Sequence, residues 1–370
     1  MQKKLIALAI AGLASSAAFA ADNVTIYGRM DYGYVNQSGN GGGIQGVDSR
    51  NSLASGVQAG SRIGFRGTED LGNGLKAIFE SEFGTGIDQT AAGTTAATWL
   101  NRHSYVGLTG NFGTVVGGRL DGVRYGIFNK YDAFAGGTVG NFTQITNQVD
   151  RADNAVAYIT PNFSGFTGTL AYATTIAGPE LAGNHNDLRL NTIMGNYANG
   201  PIDLTVDYET VKSVSPTAGN PDYDVKVTTL GGSYDFGVVK VSALWDKHTA
   251  DNRANSTTPI DYRDWFISAK APIAGTKFAV KATYGQINDK TSRDQDATKF
   301  GLGLDYSLSK RTMVYVDYGH INNKNNATYQ VSQAANTGAI SLTPGAGAGV
   351  ATTTGGNGVT GFDIGIAHSF

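Results

Sequence analysis

The chain has 370 residues, 28 of them basic, 30 acidic and none cysteine, with a formal net charge of -2. This balance offers nothing to attract nucleic acid, and the lack of cysteine excludes a disulfide scaffold and any thiolate metal site. The mean hydropathy is -0.19, yet only 16% of residues are charged and 51 are glycine. Such an average is typical of strands that are apolar on one face only.

Residues 1–20 have the layout of a secretory signal peptide. Two lysines precede an apolar run from Leu5 to Leu13, and small residues close the segment at Ala18-Phe19-Ala20. A membrane anchor is the alternative, but the run is shorter than the about 20 residues that span a bilayer. We expect cleavage before Ala21 and a single domain over residues 22–370.

Alternation of apolar and polar residues with a period of two recurs along the rest of the chain. Residues 201–210 place Ile202, Leu204, Val206 and Tyr208 on one face and polar residues on the other. Residues 277–286, 298–308 and 362–370 repeat the pattern. These segments are predicted strands with one apolar and one polar face.

A soluble β-sandwich shows the same alternation, so the alternation alone does not decide the fold class. Aromatic residues, however, lie toward the ends of many apolar faces, as the interfacial girdles of a membrane barrel require. Examples are Phe83, Tyr172, Tyr208, Tyr284, Tyr306, Tyr318 and Phe370.

The connections between predicted strands alternate in length, which favours a membrane barrel. The seven short ones are at 72–73, 111–112, 162–165, 199–201, 235–237, 271–275 and 309–310. The eight long ones are near 36–56, 85–98, 120–148, 176–187, 212–223, 247–259, 288–297 and 322–357. Seven turns and eight loops join sixteen strands, so we predict a sixteen-stranded antiparallel transmembrane β-barrel.

Arginines on the polar faces are the candidate pore-lining residues. If Ile63 and Phe65 face lipid, then Arg62 points into the lumen. A charged side chain at the lipid midplane costs about 2 to 4 kcal/mol, so the lumen is the favourable place for it.

The same alternation places Arg102 toward the lumen. His103 and Tyr105 are predicted to face lipid, which turns Arg102 inward. Two further candidates are Arg29, in Ile26-Tyr27-Gly28-Arg29, and Arg151, in Asp150-Arg151-Ala152-Asp153-Asn154.

No catalytic signature is present in the sequence. The five histidines are far apart, and there is no HExxH, nucleophile elbow or phosphate-binding glycine loop. We expect no enzyme activity, no cofactor and no bound metal. Asp289, Asp294 and Asp296 could hold a divalent cation beside lipopolysaccharide, but a solvated loop explains them better.

Several segments in order resemble the general diffusion porins of β-proteobacteria. They are Tyr27-Gly28-Arg29, Ser61-Arg62-Ile63-Gly64-Phe65-Arg66-Gly67-Thr68-Glu69-Asp70-Leu71-Gly72-Asn73-Gly74, Asn101-Arg102-His103-Ser104-Tyr105-Val106-Gly107-Leu108, Phe112-Gly113-Thr114-Val115-Val116-Gly117-Gly118-Arg119 and the terminal Phe370. The resemblance implies an outer-membrane homotrimer, each barrel a water-filled channel for passive diffusion of ions and small hydrophilic solutes. It also implies contact with outer-membrane lipid and lipopolysaccharide, and a terminal Phe370 that the assembly machinery reads.

In such porins the third long loop, residues 120–148 here, folds inward and faces an arginine cluster on the wall. Arg62, Arg102 and Arg151 match that cluster, with Arg29 nearby.

The loop departs from the family pattern at its tip. Related porins often carry a Pro-Glu-Phe-Gly-like stretch there, but this chain has Tyr131-Asp132-Ala133-Phe134-Ala135-Gly136-Gly137. Asp132 and Asp121 are the remaining candidates for the acidic side of the constriction. Four arginines against one or two acids predict a channel that prefers anions.

Three other functions remain open from the sequence. A substrate-specific channel would use the loop aromatics Tyr125, Phe128, Tyr131 and Phe134 as a binding track. A barrel plugged by its own loops would be structural or adhesive, and a soluble secreted β-protein would need no membrane.

Overall fold

The computed structural model describes residues 24–39, 49–88, 101–146, 148–178, 180, 188–213, 224–250, 260–331 and 358–370. The predicted signal peptide lies outside the described residues, as do most of the second long loop and of the glycine-rich last loop.

Within these ranges the chain forms one antiparallel sheet of seventeen strand segments. They are β1 (Thr25–Ser38), β2 (Ser49–Ser55), β3 (Arg62–Gly72), β4 (Leu75–Gly84), β5 (Asn101–Gly110), β6 (Gly113–Asp121), β7 (Arg151–Ile159), β8 (Phe166–Ala173), β9 (Leu188–Asn199), β10 (Ile202–Ser213), β11 (Asp224–Asp235), β12 (Lys240–Ala250), β13 (Ile260–Pro272), β14 (Phe278–Asp289), β15 (Ala297–Ser307), β16 (Thr312–Asn323) and β17 (Thr360–Ser369).

The sheet closes because β1 pairs with β17, from Arg29 opposite Ser369 to Ser38 opposite Thr360. On its other side β1 pairs with β2 along one half and with β3 along the other. The segments β2 and β3 therefore share one position in the wall, interrupted at residues 56–61. The predicted sixteen-stranded barrel is confirmed, with its second strand split in two.

All seven predicted short turns lie between consecutive strands, at one end of the barrel. At the other end some strands run further than the alternation suggested. For example, β12 continues to Ala250 and β1 to Ser38, both inside predicted loops. The apolar faces point outward, where Val206, Leu230 and Ile267 are about half exposed.

The segment between β6 and β7 carries the one α-helix among the described residues, α1 (Val123–Tyr131). No helix in the described part of the chain is long and apolar enough to cross a bilayer. This segment packs so closely on the wall that glycine is required there. A Cβ on Gly301 would lie 2.2 Å from the carbonyl oxygen of Gly140, and one on Gly319 1.9 Å from that of Val139.

Candidate functional site

The segment from Gly122 to Asp150, here called the inward loop, crosses the lumen to the opposite wall. Thr283 on β14 donates a hydrogen bond to Asp132 at 2.8 Å. The ammonium group of Lys299 on β15 donates to the carbonyl of Val139 at 2.5 Å. Because β14 and β15 lie across the ring from β6 and β7, the predicted inward folding is confirmed.

Helix α1 packs its buried side against β11 and β12. Its buried residues are Arg124, Ile127, Phe128 and Tyr131, spaced three and four apart as on one helical face. The ring of Phe128 stacks on Phe142 of the same loop at a centroid distance of 6.5 Å. The helix ends at Asp132, whose N–H donates to the carbonyl of Phe128.

Arg124 is the main electrostatic anchor of α1. Its guanidinium lies 2.5 Å from the Asp246 carboxylate on β12, and both side chains are almost completely buried. Burial alone lowers the pKa of Arg124, but Asp246, Glu209 and Asp264 outweigh it and raise the pKa above the usual value. The arginine therefore stays charged and neutralises part of a dry acidic wall.

The other side of the lumen carries Arg29, Arg62, Arg102 and Arg151, here called the arginine cluster. Glu82 joins two of them, lying 3.2 Å from Arg62 and 2.5 Å from Arg102. The remaining pairs are Arg29 with Asp31 at 3.4 Å and Arg151 with Asp121 at 3.1 Å.

The loop contributes Tyr125 to this cluster. The guanidinium carbon of Arg151 lies 5.5 Å from the centroid of the Tyr125 ring. Tyr125 also interacts with Arg102 by a hydrogen bond. The ring thus lies between α1 and the wall and covers part of the cluster.

The exposed fractions of the side chains show which charges a solute meets. Arg62 is 25% exposed and its partner Glu82 only 6%. Arg29 is 18% exposed and Asp31 0%. At the third pair the order is reversed, because Arg151 is 3% exposed and Asp121 37%. The lumen therefore meets the guanidinium groups of Arg62 and Arg29 and the carboxylate of Asp121.

The prediction that His103 and Tyr105 of β5 face lipid is wrong. Glu82 is the Cα partner of His103 and Glu80 that of Tyr105, so these four residues share the lumenal face. Tyr105 donates to Glu80 at 2.9 Å and His103 lies 3.1 Å from it. A register shift beside Glu82 turns Arg102 inward as well, so the expected direction of Arg102 holds for a different reason.

Asp132 lies elsewhere than expected. It is 3% exposed and accepts hydrogen bonds from the backbone N–H groups of Phe134 and Phe142 and from the hydroxyl of Thr283. Burial raises its pKa, against the effect of these donors. Asp132 holds the loop to the far wall, so the expectation that it faces the arginines is corrected.

Asp150 is the carboxylate of the loop that lies near the cluster instead. Gln148 donates to it at 2.9 Å, and it interacts electrostatically with Arg151 and Arg102. Burial raises its pKa, and Gln148 and Arg151 only partly oppose this.

Two groups in the described part of the chain bring potential metal ligands together. They are Glu80, Glu82 and His103, and Asp246, His248 and Asp264. In both, protein partners already hold the ligand atoms: Arg102 binds Glu82 and Arg124 binds Asp246. A cation would lie beside a buried guanidinium, so neither group is suited to a metal.

Some members of the site could not be identified from the sequence pattern. Gln58, in the break between β2 and β3, accepts a hydrogen bond from Arg29. The break is held inside the barrel because Asp31 accepts the N–H groups of Gln58 and Ala59 at 3.2 and 3.0 Å. The only sequence signal nearby was the end of the predicted first long loop, near residue 56.

The model of a family described as "Gram-negative porin" matches residues 7–326. Outer membrane porin protein 32 of Delftia acidovorans is 32% identical, with all of both chains covered. Major outer membrane protein P.IB of Neisseria gonorrhoeae is 29% identical over 90% of this chain and 98% of that one.

A solved structure, described as an anion-selective porin from Comamonas acidovorans, superposes with a TM-score of 0.74. It is 30% identical, and the match covers 94% of this chain and 99% of the other.

Proposed function

Because the chain belongs to the Gram-negative porin family, we propose that its channel passes anions in preference to cations. The chain is an outer-membrane porin, a barrel for passive diffusion of small hydrophilic solutes, and members of this family are channels rather than enzymes. The selectivity is assigned to the arginine cluster beneath the inward loop.

The observation that carries the proposal is the greater exposure of the guanidinium groups in two of the ion pairs. Arg62 and Arg29 extend toward the lumen, and Glu82 and Asp31 lie behind them. A permeating ion therefore approaches positive charge more closely than negative charge. In a narrow pore this difference in distance lowers the barrier for anions and raises it for cations.

Arg102 and Arg151 add to the positive potential of the lumen although they lie behind Arg62 and Arg29. Both are largely buried, and each lies within electrostatic range of the neighbouring arginines. Asp121 opposes them because it is the most exposed carboxylate of the four ion pairs. The anion preference is consequently moderate rather than strict. The similar porin from Comamonas acidovorans is described as anion-selective, which supports the proposal that this channel also prefers anions.

The second candidate function, a substrate-specific channel, requires an aromatic track along the lumen. Three of the four candidate rings, those of Phe128, Tyr131 and Phe134, are 1% exposed or less and pack on the wall. Tyr125 alone faces the arginine cluster. One ring is too little for a track, so general diffusion is favoured.

The decisive test is the reversal potential of Arg62→Gln with Arg29→Gln in planar bilayers under a salt gradient. Two lumenal charges at about 1 kcal/mol each predict a roughly 30-fold fall in the anion-to-cation permeability ratio. Lys277→Gln with Lys310→Gln is the matched control, since both lysines lie exposed at the short turns. An unchanged ratio in the first variant would refute the assignment to these arginines.

Three partners are also proposed. The assembly is a homotrimer, which single-channel closures in groups of three would support. The outer surface contacts outer-membrane lipid and lipopolysaccharide. Phe370 is the signal for the assembly machinery; in the closed barrel its carbonyl accepts from Gly28, so the signal would be read before β1 and β17 pair.

A further inference from the structure

Five basic residues form a continuous row on five neighbouring strands, at the end of the barrel that carries the long loops. This basic row consists of Arg189 on β9, Lys212 on β10, Lys226 on β11, Lys247 on β12 and Arg263 on β13. Arg189 is the Cα partner of Lys212, and Lys247 that of Arg263. Lys226 lies between the two pairs, opposite Thr210 and Thr249.

The row faces away from the lumen. Arg263 is exposed, whereas its neighbours Tyr262 and Asp264 are buried on the lumenal side. Lys247 is likewise exposed between the buried Asp246 and His248. Pairing of these strands shows no register shift, so the alternation extends to the other members of the row.

Aromatic residues fix the depth of the row in the membrane. Trp245 and Trp265 are Cα partners two residues further toward the short turns, about 7 Å below Lys247 and Arg263. Below them the outer face becomes aliphatic at Ile267. Aromatic girdles mark the edge of the hydrocarbon, so the basic row lies at the depth of the lipid headgroups.

The row of positive charge does not continue onto the next three strands. On β14, β15 and β16 the corresponding outward positions are the uncharged Asn288, Thr298 and Asn322. Among the described residues, no carboxylate pairs with Lys247 or Arg263. Lys212 lies 3.5 Å from Asp224, and Asp261 lies on the same face of β13 as Arg263, so five basic residues stand against two acidic ones.

We propose that the basic row is a binding site for the phosphate groups of lipopolysaccharide in the outer leaflet. This site rests on the proposed contact between the barrel and lipopolysaccharide, and it is independent of the proposed anion selectivity. Guanidinium and ammonium groups bind phosphate through charge-assisted hydrogen bonds. Contact through arginine and lysine needs no bridging divalent cation, unlike contact through the acidic loop at Asp289.

The test compares Lys247→Gln with Arg263→Gln against the unmodified porin. Lipid A carrying both phosphates is titrated into the detergent-solubilised protein in the presence of EDTA, and bound lipid is counted by native mass spectrometry. At roughly one kcal/mol per basic residue, loss of two charges predicts about 30-fold weaker binding. Chemically dephosphorylated lipid A should bind both proteins equally weakly.

Two controls separate a site from general charge and from misfolding. Lys277→Gln with Lys310→Gln removes the same charge at the opposite end and should leave affinity unchanged. Lys247→Arg with Arg263→Lys keeps the charges and should retain binding. Unchanged affinity in the test variant, equal losses in the two glutamine variants, or loss in the swapped variant would overturn the proposal. The salt-gradient reversal potential should be unaltered throughout, so this failure is distinguishable from failure of anion selectivity.

Discussion

The two sides of the lumen are both rich in charge, but the inward loop packs tightly against one of them and leaves part of the other open to water. The arginine cluster keeps two guanidinium groups in contact with the lumen. On the opposite side, here called the anchor wall, β12 to β17 carry Asp246, Lys281, Lys299 and Asp363, each 2% exposed or less. Lys281 lies 2.8 Å from Asp305 and 3.1 Å from Asp317, so its charge is neutralised by carboxylates of the same wall.

The difference shows that the polar face of a barrel strand has two distinct uses. Where the loop seals a charge from water, the charge must be neutralised, and its loss is felt in stability. Where a guanidinium stays partly exposed, water screens its contribution to stability, and its effect falls on passing ions. Substitutions on the two sides should therefore alter different measurements.

The largest effect is expected for Arg124→Met, which removes the loop residue that binds Asp246 of the anchor wall. Methionine leaves Asp246 without its partner in a dry site, which should lower the free energy of unfolding by about 3 to 5 kcal/mol. Urea denaturation of the detergent-solubilised barrel measures this. Arg119→Met is the matched control, since Arg119 and Asp153 are each about a quarter exposed and should contribute at most about 1 kcal/mol. Equal losses in both would contradict the distinction between the walls.

A smaller effect, in selectivity, is expected for Asp121→Asn on the arginine side. Removing the exposed carboxylate beside Arg151 should raise the anion-to-cation permeability ratio by roughly two- to fivefold. The reversal potential under a salt gradient reports the change. Asp261→Asn removes a charge on the outer face and should leave the ratio unaltered; a rise there would point to a nonspecific charge effect.

The smallest effect is a pH dependence carried by Asp150. Burial raises the pKa of this carboxyl above its ordinary 3.8, so it takes up a proton at higher pH than an exposed aspartate. Protonation removes negative charge beside Arg151 and Arg102, and anion preference should therefore rise as the pH falls toward 4. The change should be below about twofold, because the group is only one of several acids.

The control for this dependence is Asp150→Asn, which carries no charge at any pH. At neutral pH it should resemble the acidified unmodified channel, and its permeability ratio should change less between pH 7 and pH 4. Identical pH profiles for the two proteins would show that another group titrates.

Much of the barrel could be predicted from the sequence. The alternation in residues 201–210 and in 298–308 lies in β10 and β15, and every short turn is where the pattern placed it. Such features are local, because a strand between lipid and water must alternate, and six of the seven short turns contain glycine, asparagine or aspartate.

The site was less predictable, because several of its features depend on contacts between distant residues. The register of β5 against β4 reverses the expected face of His103 and Tyr105, and the register shift beside Glu82 turns Arg102 inward as well. Asp132 is an acidic residue in the loop, as a pore acid would be, but it accepts a hydrogen bond from Thr283, which is far away in sequence. Asp132 anchors the loop because the loop packs against β14, and no local sequence pattern encodes that contact.

The sequence by itself determined the strand count, the membrane topology, the family and the presence of arginines on polar faces, since each depends on short-range periodicity or on motifs. The tertiary structure decided which charges stay accessible. It brought Arg124 to Asp246, buried Asp132 and left Arg62 and Asp121 partly open to the lumen. Burial is a property of the assembled barrel and loop, because the same side chain is hydrated or dry according to what packs over it.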